Sequence, residues 1–206
     1  MFDFDGTLAD SASVAVALYN RVAQPRGWGL LTPENLEELR GLSMQGRFVR
    51  LGIPPRAVPA LVVRLIRLYR AEAARVPLHP GVPELLRDLR ARGYRLFVVS
   101  TNAEETIRAV LARHGLEQAV EEVRTSGRLF GKGRLLSGLL RRHHLLPQRS
   151  VYVGDELRDL EASRQAGLRF VAVSWGVDTA SGLQRAGPDA LVHHPAEITR
   201  WLESWA

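Results

Sequence analysis
A chain of 206 residues, 46% of them hydrophobic, is long enough to bury a core and too apolar to remain disordered. With no cysteine it can hold no disulfide framework, thiolate zinc site, iron–sulfur cluster or cysteine nucleophile. The formal charge of +6 comes from arginines scattered along predicted helices, which disfavours a nucleic-acid partner, and no apolar run approaches the roughly 18 residues of a membrane span.

In chain order, Met1 to Leu8 reads as the end of a strand. Only Met1 and Phe2 precede Asp3, so this strand is expected to be short of the usual five or six residues, with its front part cut off or lying upstream of the assigned start. The same opening is too acidic for a signal peptide, and a cytoplasmic protein is expected. Residues 10 to 78 carry no β-branched strand run. They predict helices at Ser11 to Ala23 and Ala57 to Ala74, with breaks at Pro25-Arg26-Gly27, Thr32-Pro33 and Gly52-Ile53-Pro54-Pro55. After His79-Pro80-Gly81 helical stripes alternate with short strands. The stripes are Val82, Leu85, Leu86, Leu89; then Ile107, Val110, Leu111; then Leu135, Leu136, Leu139, Leu140. The strands are Arg95 to Val99, Val120 to Val123, Ser150 to Val153, Arg169 to Val173 and Ala190 to Val192. This order predicts an α/β fold, a doubly wound, parallel, Rossmann-like sheet, with its sites at the carboxyl ends of the strands. The boundaries expected are a core of 1–9 and 79–206 and a helical insert of 10–78 after the first strand.

Four groups of polar residues fall at predicted strand ends. Asp3 and Asp5, two apart, point the same way, and Gly6-Thr7 turns the backbone over them. Carboxylates so close repel, so either one is protonated or a cation lies between them. Ser100, Thr101 and Asn102 open a helix, as an anion cradle or as a plain N-cap. Gly131-Lys132-Gly133 holds the only lysine among 28 basic residues. This is not a Walker loop, since Gly127 is one residue too near and Gly133 stands where a hydroxyl is required. Gly154-Asp155-Glu156-Leu157-Arg158-Asp159 is an acidic turn in which Asp155 could equally cap a helix.

Taken together, these groups resemble the motifs of the haloacid dehalogenase superfamily of phosphohydrolases. Asp3 and Asp5 match the first motif, Ser100 the second, Lys132 the third, and Asp155 with Asp159 the fourth. The strings at 129–132 and 154–159 are similar to those of its phosphoglycolate phosphatase-like branch, and residues 10–78 correspond to its helical cap. The resemblance implies a Mg²⁺-dependent phosphatase acting on a small phosphorylated metabolite, phosphoglycolate-like or a sugar phosphate. Asp3 would be the nucleophile that becomes an aspartyl-phosphate, and Asp5 the general acid and base. Ser100, Thr101 and Lys132 would bind phosphate, while Asp3, Asp155 and the Asp5 carbonyl would hold Mg²⁺. Asp159 and Gly6 would support the site, and Arg40 and Arg47 are guesses for groups meeting the far end of the substrate.

A phosphonatase of this family needs a cap lysine, which is missing. A sugar phosphomutase carries a histidine where this chain has Ala15, and a dehalogenase lacks the second aspartate. A non-catalytic member would have no need of all four motifs. A nucleic-acid binder using Arg64, Arg67, Arg70, Arg141 and Arg142 lacks interleaved aromatic residues. The protein is expected to be a monomer or homodimer, with no membrane or nucleic-acid partner. Since the chain otherwise takes arginine, its one lysine predicts a confined pocket. Lys132→Arg is then expected to lower kcat/KM with folding nearly untouched.

Overall fold
The computed structural model describes residues 1–42, 44–72, 75–125 and 131–205. Gly127, Leu129, Phe130 and the expected helix end at 73–74 lie outside them. The chain divides into two compact units, one of Met1–Asp10 with Pro77–Ala206, the other of Ser11–Val76.

The 11–76 unit is helical. Its elements are α1 (Ser11–Ala23), α2 (Pro33–Arg40), α3 (Met44–Arg50) and α4 (Val58–Glu72). Thr32 starts α2 with a capping box to Asn35, followed by Pro33 at the first helical position. Tyr19, Val22, Leu39, Leu51, Ile53 and Leu61 form a buried cluster of their own. This cluster gives the unit a core independent of the sheet.

The larger unit continues through α5 (Val82–Ala91), β1 (Phe97–Ser100), α6 (Glu104–Arg113), β2 (Glu122–Thr125), α7 (Lys132–Arg142), β3 (Val151–Gly154), α8 (Leu157–Ala166), β4 (Arg169–Val173), α9 (Ala180–Arg185), β5 (Ala190–Val192) and α10 (Pro195–Trp205). All strand pairs are parallel: β1 with β2, and β3 with β4 and then β5. Residues 1–3 join the two groups, because Phe2 bridges to both Val98 and Val153. The Phe2 amide donates to the Phe97 carbonyl at 2.8 Å, and the Asp3 amide donates to that of Val153 at 2.9 Å. The expected first strand is therefore present as a bridge only two or three residues long.

Phe97, Val99, Tyr152, Phe170 and Ala172 turn to one face, where they pack with Leu136, Leu139 and Leu140 of α7 and Leu160 of α8. The residues between them turn to the other face by strand alternation. Every residue of β1 and β3 is buried, as expected of parallel strands covered on both sides. The sheet is thus doubly wound and Rossmann-like, with β1, residues 1–3 and β3 at its centre. Beside the crossing into the 11–76 unit, Ala9 and Leu78 form an antiparallel bridge, and His79 N–H donates to the Leu8 carbonyl at 2.9 Å. This bridge ties the two crossing strands together within the core unit.

Candidate active site
The centre of the sheet ends in a cluster of charged side chains. Asp3, Lys132, Asp155 and Asp159 are buried, as is Ser100. Asp3 Oδ1 accepts the Phe4 N–H at 2.7 Å, and its Oδ2 lies 2.7 Å from Lys132 Nζ. The same Nζ reaches Asp159 Oδ1 at 2.7 Å. Local sequence explains the position of each partner. Gly131, at φ +122, adopts a conformation that favours glycine just before α7. A Cβ on Gly133 would lie 2.5 Å from Gln165 Oε1 and 3.4 Å from the Ala162 carbonyl oxygen, so the glycine beside Lys132 lets α7 and α8 approach closely there. Asp159 closes a capping box at the start of α8 with Glu156, which leaves its Oδ1 for the lysine.

Asp155 lies in a cradle. Its Oδ1 accepts Thr7 Oγ1–H at 2.6 Å and its Oδ2 accepts the Val177 N–H at 2.8 Å. A Cβ on Gly6 (φ +80) would lie 2.3 Å from Asp155 Oδ2, and one on Gly176 would lie 2.1 Å from the Asp155 Cβ. Trp175 Nε1–H donates to the Thr7 carbonyl at 3.1 Å, holding the segment after β4 against the first turn.

Asp5 is only half-buried, and both its oxygens face Asn102 Nδ2, at 3.1 and 3.4 Å. Ser100 Oγ accepts the Asn102 N–H at 3.0 Å, and Thr101 is partly exposed beside it. Helix α6 starts later than expected, with Ala103 at its N-cap position and no side-chain cap. Asn102 is therefore a tether for Asp5 rather than a helix cap.

Burial, reinforced by Asp159, raises the Asp3 carboxyl well above the usual range against the pull of Lys132. Burial lifts the Asp155 carboxyl to about 7. Burial alone would lower the lysine, but Asp3 and Asp159 outweigh it and Lys132 remains a cation. Carboxyl groups outnumber cations here, since Lys132 is shared by Asp3 and Asp159, Asp155 acts on Asp3 from nearby, and Glu156 is ion-paired with Arg158. Carboxylate oxygens of Asp3, Glu156 and Asp159 come within 4.8 Å of one another. Hard oxygen donors with uncompensated charge fit a small divalent cation such as Mg²⁺.

Lys132 thus joins Asp3 to Asp159, Asp155 closes on Thr7 and Gly6 in the first turn, and Asp5 is linked to the Ser100 turn through Asn102. Arg40 and Arg47 belong to the 11–76 unit. Arg47 donates to the Leu42 and Arg40 carbonyls at 3.1 and 3.0 Å, stitching α2 to α3, and Arg40 lies 3.5 Å from Glu37. Sequence reasoning placed Asn102 in an anion cradle or helix cap and missed its link to Asp5, and it missed Gly176 and Val177 altogether. A glycine just past the carboxyl end of β4 is a signal that the strand-end rule could have used for Gly176.

The family model described as haloacid dehalogenase-like hydrolase matches residues 1–173. A phosphoglycolate phosphatase of Synechococcus elongatus is 37% identical over 96% of this chain and 93% of its own length. The tyrosine-protein kinase PtkA of Mycobacterium tuberculosis is 30% identical over 94% of this chain and 67% of its own. Among solved structures, a haloacid dehalogenase family hydrolase of Deinococcus radiodurans with bound phosphate and sodium shares the fold at a TM-score of 0.78. Its identity is 23%, over 99% of this chain and 94% of that one.

Proposed function
Because the chain belongs to the haloacid dehalogenase-like hydrolases and is a phosphoric monoester hydrolase, we propose that it hydrolyses a small phosphomonoester through an aspartyl-phosphate on Asp3. The observation that carries this reading is the contrast between the two first-motif carboxylates. Asp3 is buried and pinned on both oxygens, by the Phe4 N–H and by Lys132, as suits a nucleophile that must attack along one line. Asp5 is half-buried with its carboxylate facing the Asn102 amide, and it is the carboxyl we assign to giving and taking protons.

In the first step an Asp3 carboxylate oxygen bonds to phosphorus and the bond to the leaving oxygen breaks, with Asp5 giving that oxygen its proton. In the second a water attacks the same phosphorus, Asp5 takes the proton of the water, and the Asp3 carboxylate and inorganic phosphate are released. Lys132 offsets charge on the transferring oxygens, and the Ser100–Thr101 turn supplies hydroxyl and N–H donors to them. Asp3, Asp155 and the Asp5 carbonyl would hold Mg²⁺, with Asp159 and Glu156 beside them. Bound there, the ion would neutralise the carboxylates against the phosphate dianion and polarise the phosphoryl group.

Phosphoglycolate is the first substrate to test, in view of the Synechococcus relative, with sugar phosphates next. The 11–76 unit serves as the helical cap that selects among them, with Arg40 as its candidate contact. The protein works in the cytoplasm as a monomer or homodimer, without a nucleic-acid partner; among the described residues no helix is long and apolar enough to cross a membrane. A panel of phosphomonoesters assayed with Mg²⁺ tests the reading. Asp3→Asn should abolish turnover, since an amide is a poor nucleophile and a poor metal ligand. An Asp3→Asn protein that retained most activity would overturn it.

A further inference from the structure
Tyr152 is among the largest fully buried side chains of the molecule, in a position where its ring packs with Phe170 and the apolar faces of α7 and α8. Packing alone does not require its hydroxyl. Phenylalanine already serves at Phe97 and Phe170 on the same face, and a buried hydroxyl costs stability unless it is hydrogen-bonded. The oxygen lies 3.2 Å from Asp159 Oδ1 and 3.3 Å from the Val99 carbonyl oxygen. A phenol has one proton, so it donates to one of these at a time, and the charged acceptor is the stronger.

Asp159 Oδ1 is also the oxygen that Lys132 Nζ meets at 2.7 Å, and that Nζ touches Asp3 Oδ2 at 2.7 Å. Tyr152, Asp159, Lys132 and Asp3 therefore form a file of side chains drawn from β3, α8, α7 and the opening segment. We propose that Tyr152 is a positioning residue for the reaction described above: by donating to Asp159 Oδ1 it fixes that carboxylate and, through it, the point at which Lys132 meets Asp3.

This deepens the phosphatase reading and rests on it. A lysine stem has four rotatable carbons, and its ammonium stays in place only if its anchors do. Among the described residues the other Asp159 oxygen is held by the Glu156 N–H at 3.3 Å, a long contact that leaves rotation about the carboxylate bond weakly opposed. When phosphorylation removes the charge of Asp3, Asp159 is the anchor that remains. A displaced ammonium slows the chemical step more than it weakens substrate binding, since the phosphoryl charge it faces is largest during transfer.

The test compares the full-length wild type, Tyr152→Phe, Asp159→Asn and the double variant with Mg²⁺ on the best substrate of the panel, by single turnover where steady state is too slow. Tyr152→Phe should lower kcat roughly tenfold, about 1.4 kcal/mol, with KM within about twofold of wild type. In the Asp159→Asn background the same change should alter kcat less than about twofold. Unchanged kcat in Tyr152→Phe, or the same loss with and without Asp159, would overturn the proposal, because a purely structural tyrosine acts independently of that carboxylate. An active wild type with an indifferent Tyr152→Phe sinks the positioning role alone. A wild type inactive on every phosphomonoester sinks the phosphatase reading and this inference with it.

Discussion

Gly176→Ala is the sharpest test of how Asp155 is held. The new Cβ would lie 2.1 Å from the Asp155 Cβ and 2.3 Å from its Oδ2. Carbon atoms pack at about 3.5–4.0 Å, so one of the two segments must move by roughly 1.4 Å or more. Asp155 is anchored by Thr7 at 2.6 Å and Val177 at 2.8 Å, and a shift of that size breaks both contacts. At roughly 1.5–3 kcal/mol for each hydrogen bond to a charged group, the loss is about 3–6 kcal/mol. For a chain of this length that is on the order of 6–24 °C in Tm. Misplacing by about an ångström the carboxylate proposed to hold the metal should cost kcat/KM at least about 100-fold, even well below Tm. Scanning fluorimetry and phosphate-release kinetics read the two effects. Gly138→Ala is the control: it lies inside α7 with nothing within 4 Å of its added Cβ. It should raise stability by about 0.5–1 kcal/mol and leave activity alone. Wild-type Tm and activity in Gly176→Ala would refute the cradle.

At Lys132 the loss of charge and the gain of bulk separate. Lys132→Met leaves Asp3 and Asp159 without their cation and should cost about 3–5 kcal/mol in thermal or urea unfolding. Lys132→Arg keeps the charge but must fit a larger head into a buried site. It should destabilise by about 1–3 kcal/mol as well as lowering kcat/KM, contrary to the sequence expectation of untouched folding; wild-type Tm in this variant would show the site to be roomier than described. The pH response follows from Asp155, whose carboxyl rises from 3.8 to about 7 on folding. Protonation is favoured in the folded state, so this contribution is full below about pH 4 and is lost as pH rises through about 7. Protein stripped of metal with EDTA should lose Tm across the upper part of that window. The Tm gained on adding Mg²⁺ should be larger at pH 8 than at pH 5.5, since the ion displaces the proton. A Mg²⁺ effect independent of pH would contradict this assignment.

Much of the molecule was legible as pattern. Helix α1 and strands β4 and β5 have the boundaries that periodicity predicts, and the remaining strands shift by one or two residues, because alternation says little about where hydrogen bonding ends. The charged cluster was legible because its members sit at strand ends and because lysine is rare in this chain. What escaped was tertiary. The approach of Gly176 to Asp155 joins residues 21 apart with α8 and β4 between them, and the strand-end position of the glycine is only a hint of it. Asn102 looked like a helix cap because its sequence neighbourhood suits one, and only its distance to Asp5 reveals the tether. Tyr152 sits in an apolar run, where an aromatic residue reads as core, and its ring does pack there.

The bridge made by residues 1–3 has a consequence for how the molecule assembles. Met1 N–H donates to the Val151 carbonyl across 150 residues, and Phe2 pairs with Val98 as well as Val153. The strand that carries Asp3 therefore has no partner until β1 is made and is paired on both sides only after β3 is made, and closing such long loops is slow. At about 5–20 residues per second of synthesis, that wait is roughly 8–30 s after residues 1–3 are made. Mutations in residues 1–3 should accordingly speed unfolding far more than they slow refolding, with φ-values near zero, while β3 and β4 form early. The segment bearing Asp3 is the first of the sheet to be synthesised, yet it is held on both sides only after β3 follows.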